Sequence, residues 1–246
     1  VAWDEAPREG KISLKATRDG LLKVNVDALE QFNEMGIVMC ATRHTNSIVK
    51  KGEQVAATRA IPLLIASDYV DAAVAIAKSA PEAILQVQPM MTAKVGVMIT
   101  GSEVYYGRIE DKFEGIIRKK VTALGGSVLE VVFLPDDDKM IAAAALDLVE
   151  QGANVLITTG GMSVDPDDRT RFALKEAGAC NMVYGTPVLP GAMFMIAYLK
   201  DVPVLGIPAC GLFSTTTMFD LIYPRVLAGN KISQSDIGVE VLGGVC

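Results

Sequence analysis

The sequence has a single histidine, His44, and four cysteines, at positions 40, 180, 210 and 246. None of the cysteines forms a CxxC pair, so we expect no zinc or iron–sulfur site within the chain. Thiols without pairing spacing are typical of a reducing compartment, and we expect a cytoplasmic location. We expect His44 to make a structural hydrogen bond rather than to act in catalysis.

Long hydrophobic runs are also missing. The 246 residues are 50% hydrophobic and the mean hydropathy is +0.33. Even so, no apolar run reaches the roughly 18–20 residues that a membrane span needs. No charged-then-apolar leader is visible, and the unpatterned start at Val1 suggests a fragment of a longer protein. We expect no membrane partner.

Positive charge is sparse as well. The chain has 23 Lys and Arg residues against 29 Asp and Glu residues, for a net charge of −6. Its basic clusters are small: Lys50-Lys51 and Arg118-Lys119-Lys120. A nucleic-acid-binding protein usually shows a basic face, so we expect no nucleic-acid partner.

The sequence pattern changes near residue 90, which predicts two domains. Residues 10–66 alternate and carry turn signals, which predicts a β-rich module with a strand at 61–65. Ser67 or Asp68 is predicted to cap a helix that runs to about Ser79. Prolines at 81 and 89 follow. We therefore predict an N-terminal β-rich (α+β) module at 1–92 and a second domain at 93–246.

Strands and helices alternate through the second domain. Strands are predicted at 94–99, 127–134, 154–159 and 203–207. Helices are predicted at 109–124, from a cap at Asp138 to about 151, from Asp167 or Asp168 to about 177, and at 215–227. This order predicts a doubly wound α/β fold with a mostly parallel sheet, whose ligand lies at the carboxyl ends of the strands.

Three glycine-bearing turns follow three of these apolar strands. They are Thr100-Gly101-Ser102-Glu103, Thr158-Thr159-Gly160-Gly161-Met162-Ser163 and Gly206-Ile207-Pro208-Ala209-Cys210-Gly211. Each glycine alone is explained by a tight turn. Three in register along one sheet edge favour a phosphate-bearing ligand, because bare amides and helix N-termini attract anions. Neither a full GxGxxG nor a P-loop lysine is present.

Acidic residues follow two of the strands. Asp136-Asp137 comes after the second strand, and Asp165-Pro166-Asp167-Asp168 comes after the second glycine turn. Acids at a helix N-terminus are favoured by the helix dipole alone. Beside a phosphate they could instead hold Mg²⁺ or act as a general base. Both readings stay open at this point.

A further turn is formed by Pro190-Gly191. We predict that 192–199 continues as a helix, which would present free amides to a ligand, although a rigid turn explains the pair equally well.

Six motifs, in this order and spacing, resemble the molybdopterin-binding domain shared by molybdopterin adenylyltransferases and molybdenum insertases of molybdenum-cofactor biosynthesis. They are Thr100-Gly101-Ser102-Glu103-Val104, Gly107-Arg108-Ile109, Leu134-Pro135-Asp136-Asp137, Thr159-Gly160-Gly161-Met162-Ser163, Pro190-Gly191-Ala192-Met193 and Gly206-Ile207-Pro208. The resemblance covers residues 93–229 and is nearest to a prokaryotic subgroup known only as molybdopterin-binding. Members of that subgroup usually carry a further N-terminal segment.

The resemblance implies the fold above and a set of site residues. The residues implied to bind molybdopterin are Gly101, Ser102, Gly160, Gly161, Ser163, Pro190, Gly191 and Pro208. Glu103 and Asp137 match acidic positions, implied to be catalytic. Asp137, Asp165 and Asp168 are implied to hold Mg²⁺. One departure is Pro208-Ala209-Cys210-Gly211, where the family usually has Pro-Gly and a small polar residue; the lost glycine bears on catalysis more than on fold.

The implied function is binding of molybdopterin, a small-molecule pterin phosphate, or of its adenylylated form, with adenylyl transfer or magnesium-dependent molybdate insertion. Two alternatives stay open. One is a non-catalytic module that carries the cofactor to a molybdoenzyme apoprotein. The other is a nucleotide-pyrophosphate hydrolase on the same fold. The family commonly self-associates, and half the chain is apolar, so we also expect a homo-oligomer.

Overall fold

The computed structural model describes residues 1–7, 10–162 and 169–239. The chain divides into two compact units, Val1–Met90 and Met91–Cys246. Each unit is described by itself below. The predicted assignment of 1–92 and 93–246 as separate functional domains stays a prediction. None of the described helices combines the length and the apolar character needed to cross a membrane.

The described residues of the first unit form two small antiparallel sheets and two helices. One sheet has the strand order β1-β2-β6-β4 and the other has the order β5-β3-β7. The elements are β1 (Ala2–Trp3), β2 (Lys11–Lys15), β3 (Gly20–Val24), α1 (Val26–Glu34), β4 (Val38–Thr42), β5 (Ile48–Val49), β6 (Gln54–Ala60), α2 (Ser67–Ser79) and β7 (Leu85–Gln88).

The strand predicted at 61–65 is wrong. The strand at this point is β6, which ends at Ala60 and pairs with both β2 and β4. Val55 and Ala56 provide its buried side chains, so small residues rather than large aliphatic ones form this part of the core. Pro62 has no N–H to donate in a hydrogen bond to a neighbouring strand. Leu63 and Leu64 are 103% and 91% exposed. The helix predicted to run to about Ser79 is α2, but its N-cap is Ala66 rather than Ser67 or Asp68, and no side chain within the described residues caps it.

The second unit contains one large sheet and six helices within the part of the chain that the structure describes. A 3₁₀ turn spans Ala209–Leu212. The elements are β8 (Lys94–Thr100), α3 (Ser102–Tyr105), α4 (Phe113–Ala123), β9 (Ser127–Leu134), α5 (Asp138–Glu150), β10 (Val155–Thr159), α6 (Thr170–Glu176), β11 (Cys180–Tyr184), β12 (Met195–Leu199), β13 (Val202–Ile207), α7 (Met218–Leu227) and α8 (Gln234–Val239).

The large sheet has the strand order β11-β12-β13-β10-β8-β9. Strands β13, β10, β8 and β9 run parallel, and β12 and β11 run antiparallel to their neighbours. The central strands are buried along nearly their whole length, which is why their sequences read as continuous apolar runs.

Helices cover both faces of this sheet. Met98, Leu156 and Val204 pack on one face with residues of α5 and α6 in a single buried cluster. The alternate strand positions, such as Val97 and Ile157, point to the opposite face. Helices α4 and α7 contact β8, β9 and β13 and contribute no residue to that cluster. The predicted doubly wound, mostly parallel α/β class is confirmed.

The helix predicted at 192–199 is wrong, because Met195–Leu199 is the strand β12. It pairs with β13 through the register Met195↔Gly206 to Leu199↔Val202, and all five of its residues are buried. A short run that is apolar on every side has no periodicity to separate helix from strand, so position in the sheet decides. Strand β11, its antiparallel partner, had no prediction.

Three helices begin later than predicted. Helix α6 begins at Thr170, with Arg169 as its N-cap, rather than at 167 or 168. Helix α4 begins at Phe113 rather than at 109, after Asp111 has accepted the N–H groups of Phe113 and Glu114. Helix α7 begins at Met218 rather than at 215, because Thr217 and Asp220 form a reciprocal capping box there.

Gly96 provides a test of how tightly α5 packs on β8. A Cβ at Gly96 would lie 2.9 Å from Leu156 Cδ2 and 3.0 Å from Leu148 Cβ. We predict that Gly96→Ala lowers the free energy of unfolding by about 1–3 kcal/mol, the usual cost of overpacking a core. Urea unfolding measures the change.

The matched control is Gly115→Ala on α4, where a Cβ would meet nothing within 4 Å. Since alanine is the better helix former, this variant should gain about 0.5–1 kcal/mol. If both variants lost a similar amount of stability, the packing argument would be contradicted.

Candidate functional site

The loops that follow four parallel strands lie at one edge of the sheet. In the strand registers, Thr100 lies beside Leu134, and Thr159 lies beside both Ile99 and Ile207. The strands β8, β9, β10 and β13 therefore end at the same level. Their following residues are Gly101, Pro135, Gly160 and Pro208. This edge, with the loops that leave it, is called the strand-end site below.

The loops after β8 and β9 are held together by Asp136. Its Oδ2 accepts the Ser102 N–H at 2.8 Å and the Ser102 hydroxyl at 2.9 Å. The Gly101 N–H donates to the Leu134 carbonyl at 3.0 Å. Gly101 has a φ of 137°, and a Cβ there would meet nothing within 4 Å. Gly101 thus presents open space at the strand-end site, while its neighbour Ser102 is fixed by a carboxylate.

The turn after β10 is packed against β8. Gly160 has a φ of 81°, and a Cβ on it would lie 1.9 Å from the Thr100 carbonyl oxygen. A Cβ on Gly161, at a φ of 53°, would lie 2.4 Å from Thr170 Oγ1. Both positions require glycine because the protein itself occupies the space, so these two glycines do not mark open room for a ligand.

Hydroxyl groups connect this turn to the first residue of α6. The Thr100 hydroxyl donates to the Thr159 carbonyl at 2.9 Å, and it also lies 2.9 Å from Thr170 Oγ1. Thr170 in turn donates to the Gly160 carbonyl at 3.2 Å. Thr100 and Thr170 were not among the predicted site residues. A threonine directly before the glycine of a strand-end turn was the available signal for Thr100.

The acidic residues after β9 have three different partners. Asp136 binds Ser102, as described. Asp137, rather than the predicted Asp138, is the N-cap of α5, where its Oδ1 accepts the Met140 N–H at 2.9 Å. Asp138 pairs with Arg169 at 3.3 Å, and its Oδ1 is buried with no hydrogen-bond partner among the described residues. Asp136 and Asp137 are exposed. A carboxylate that caps a helix keeps its second oxygen available at the strand-end site.

Glu103 lies on the one-turn helix α3, next to Ser102, and is exposed. Its carbonyl accepts the N–H groups of Arg108 and Ile109 at 2.8 and 3.3 Å, which closes the loop behind it. Glu103 and Asp137 therefore follow neighbouring strands, β8 and β9. Three predicted site residues, Ser163, Asp165 and Asp168, lie outside the described residues. Within the described ranges, no group of three His, Cys, Asp or Glu residues is arranged to hold a metal.

The Pro190-Gly191 turn reaches the same edge from the antiparallel side, because β12 begins beside Gly206 near the end of β13. The predicted run of free helical amides after it is wrong, since β12 follows. A Cβ on Gly191, at a φ of 122°, would lie 2.7 Å from the Met218 N atom, so this glycine also serves packing. Pro208 is buried, and Cys210 is half-buried in the 3₁₀ turn that follows it.

The second unit of the chain is similar to known proteins. Residues 96–228 match the model of a family described as a probable molybdopterin binding domain. A molybdopterin molybdenumtransferase of Synechococcus elongatus is 28% identical over 144 residues, 54% of this chain and 36% of that protein. One of Haemophilus influenzae is 27% identical over 157 residues, 60% of this chain and 38% of that protein. The chain thus spans less than two fifths of the length of these two relatives.

Among solved structures, the chain is similar to a CinA protein of unknown function from Thermoplasma acidophilum. The TM-score is 0.49 and the sequence identity 14%, over 55% of this chain and 98% of that one. It is also similar to the molybdopterin biosynthesis enzyme MoaB of Thermus thermophilus, with a TM-score of 0.46 and 19% identity over 56% of this chain and 98% of that one.

The close approach of Gly160 to Thr100 gives a stability prediction. Gly160→Ala places a Cβ on a carbonyl oxygen at a left-handed φ. We expect the free energy of unfolding to fall by about 1–2 kcal/mol for the backbone conformation and by about 1–3 kcal/mol more for the collision. Chemical unfolding monitored by circular dichroism measures the loss.

Gly152→Ala is the control, because Gly152 has a φ of 98° and a Cβ there would meet nothing within 4 Å. It should lose only the conformational part, about 1–2 kcal/mol. If the free energy of unfolding fell equally in the two variants, the close approach of Gly160 to Thr100 would not be what requires glycine at position 160.

Proposed function

The chain belongs to the molybdopterin-binding domain family, and from this premise we propose that it binds molybdopterin or its adenylylated form at the strand-end site. One observation carries the proposal. Asp136 joins the loop after β9 to Ser102, and Thr100 and Thr170 join the end of β8 to the Gly160 turn, so the proposed contacts Ser102 and Gly160 lie on one connected edge. A preorganised edge suits a ligand with a phosphate and several polar ring atoms.

We propose a division of the binding tasks along this edge. The amides of Gly101 and Ser102 already donate to Leu134 and Asp136. We therefore assign the phosphate to main-chain N–H groups of the Gly160-Gly161 turn, and not to the space beside these two glycines, which Thr100 and Thr170 fill. The open side of Gly101 admits the body of the ligand. Pro190, Gly191 and Pro208 form the far wall, and Ser163 stays a proposed contact outside the described residues.

Magnesium fits this arrangement as a shared ligand of protein and phosphate. Mg²⁺ usually takes one or two carboxylates and completes its shell with phosphate oxygens and water. Asp137 is exposed and keeps one carboxylate oxygen beyond its cap bond, so it would hold the ion. Asp165 and Asp168, outside the described residues, are further proposed ligands. The ion would supply neutralisation of the phosphate charge.

Glu103 and Asp137 are the proposed catalytic acids. Both are exposed at the ends of adjacent strands, where a carboxylate can reach a bound ligand to accept a proton or orient an attacking group. We propose that the reaction is either adenylyl transfer from ATP to molybdopterin or molybdate insertion with loss of AMP. Both reactions use the same phosphate-binding edge, which leaves the choice between them to experiment.

Two turnover assays separate these reactions. The first supplies molybdopterin with magnesium and ATP and detects adenylylated molybdopterin and pyrophosphate by mass spectrometry. The second supplies adenylylated molybdopterin with molybdate and detects released AMP. AMP release without molybdate would identify a pyrophosphate hydrolase. Binding of the pterin without turnover in either assay would identify a carrier that passes the cofactor to a molybdoenzyme apoprotein.

We predict that Asp137→Asn leaves molybdopterin affinity within about threefold and removes most turnover. Asparagine caps a helix about as well as aspartate, so folding should be unaffected, whereas an amide neither anchors Mg²⁺ nor accepts a proton. Glu103→Gln should behave in the same way. Binding by isothermal titration and turnover by the assays above are measured together.

Asp147→Asn is the control for the loss of one negative charge from α5, because Asp147 is exposed on the same helix away from its N-terminus. It should retain full turnover. Full turnover in Asp137→Asn would leave that residue with its helix-capping role alone.

We also propose that the protein forms a homo-oligomer through an apolar face of the second unit. Strand β9 is an end strand of the large sheet, and its Leu129 and Phe133 are 44% and 38% exposed. Multi-angle light scattering should give a multiple of the 26.1 kDa chain mass. Phe133→Glu should shift the population toward the monomer by placing a charge in the interface. A monomer at micromolar concentration in the unsubstituted protein would refute the proposal.

A further inference from the structure

A second concave surface lies between helix α6 and strand β11. It has a volume of about 600 Å³, within the range of roughly 300–1,000 Å³ typical of small-molecule pockets. We call it the α6–β11 groove. Its lining residues are Arg171, Phe172, Lys175, Ala179, Cys180, Asn181, Met182 and Tyr184.

The groove carries positive charge. Arg171 and Lys175 are four residues apart on α6 and so lie on the same side of the helix. None of the described residues that line the groove is an aspartate or a glutamate. Two cations on one wall attract an anion, because no carboxylate among the described lining residues competes for them.

Arg171 is held in place by two aromatic rings. Its guanidinium carbon lies 4.7 Å from the centre of the Phe172 ring and 4.9 Å from that of Tyr184. The Tyr184 hydroxyl donates to the Met162 carbonyl at 3.1 Å, which fixes the ring to the turn after β10. A guanidinium stacked in this way loses little rotational freedom when it binds a ligand.

The same guanidinium has an unused donor. Arg171 Nε is buried and has no hydrogen-bond partner within the described part of the chain. A buried N–H without a partner costs free energy, and a bound acceptor in the groove would remove that cost.

The remaining lining is suited to the apolar body of a ligand. Phe172 is 51% exposed although it is large and apolar, and Met182 adds a polarisable thioether that packs well against flat rings. Asn181, at a β-bulge and with a φ of 50°, adds an amide that both donates and accepts.

We propose that the α6–β11 groove binds a small organic phosphate with a flat ring system, of the nucleoside monophosphate class. The phosphate would lie against Arg171 and Lys175, and the ring would lie over Phe172 and Met182. The proposal is independent of the function proposed for the strand-end site, because it uses none of the residues assigned there.

The test uses AMP, adenosine and inorganic phosphate as probes on the full chain labelled with ¹³C at the methionine methyl groups. The Met182 methyl reports on the groove, and the Met140 methyl, next to Asp137, reports on the strand-end site. We expect AMP to shift Met182 at concentrations that leave Met140 unchanged. Adenosine should bind at least about tenfold more weakly than AMP, because it lacks the charge-assisted hydrogen bonds to the phosphate.

Two variants identify the cations. Arg171→Gln should weaken AMP binding by about tenfold or more, as expected for a lost charge-assisted hydrogen bond, and Lys175→Gln should weaken it to a smaller degree. Lys119→Gln, an exposed lysine on α4, is the control for net charge and should bind AMP as the unsubstituted chain does. Lys175 is exposed, so its variant keeps the test valid even if the loss of Arg171 stacking disturbs α6.

Three results would overturn the proposal. One is equal binding of adenosine and AMP, which would remove the role of the phosphate. Another is an AMP-dependent shift of Met140 without one of Met182, which would place the ligand at the strand-end site. The third is unchanged AMP affinity in both Arg171→Gln and Lys175→Gln.

Discussion

The contact between the Gly160 backbone and the Thr100 carbonyl holds the ends of β10 and β8 together, and the strand-end site is built around it. The distance from a Cβ at Gly160 to that oxygen would be 1.9 Å, so only glycine fits. With the two backbones this close, the Thr100 hydroxyl reaches both the Thr159 carbonyl and Thr170. The first residue of α6 is thereby fixed to the turn, and through it the helix is fixed to the centre of the sheet.

The three consecutive aspartates after β9 show how one acidic run serves different structural purposes. Asp136 bridges to the loop after β8, Asp137 caps α5, and Asp138 reaches across to Arg169 before α6. The run therefore joins three loops of the strand-end site. Asp136 and Asp137 are both exposed, and each uses one carboxylate oxygen for these contacts, so each keeps an oxygen for metal or proton chemistry. Of the two, Asp137 is the one that the family resemblance singles out.

Much of the sheet could be predicted from the sequence, because buried parallel strands are continuous apolar runs bounded by glycine. The predicted strand at 127–134 has the bounds of β9. The prediction was wrong where an apolar run lay beside the parallel core. Met195–Leu199 has no amphipathic period, and it is a strand only because β13 offers an edge for antiparallel pairing. In the first unit, the small residues of β6 gave too little hydrophobic signal, and the exposed leucines after it gave too much.

The position of the candidate site at one edge of the sheet could be predicted from the sequence, but the contacts within it could not. Parallel strands must end together, so Gly101, Gly160 and Pro208 could be assigned to one edge from the sequence. The four implied glycines look alike in the sequence, yet their surroundings differ. A side chain at Gly160, Gly161 or Gly191 would collide with Thr100, Thr170 or Met218, whereas one at Gly101 would meet nothing within 4 Å. A glycine that is required by packing and a glycine that leaves room for a ligand are distinguished only by what lies opposite the missing Cβ. Residues 59 and 70 positions apart, such as Thr100 with Thr159 and Thr170, provide that opposite surface, and no local sequence pattern encodes such a distant neighbour.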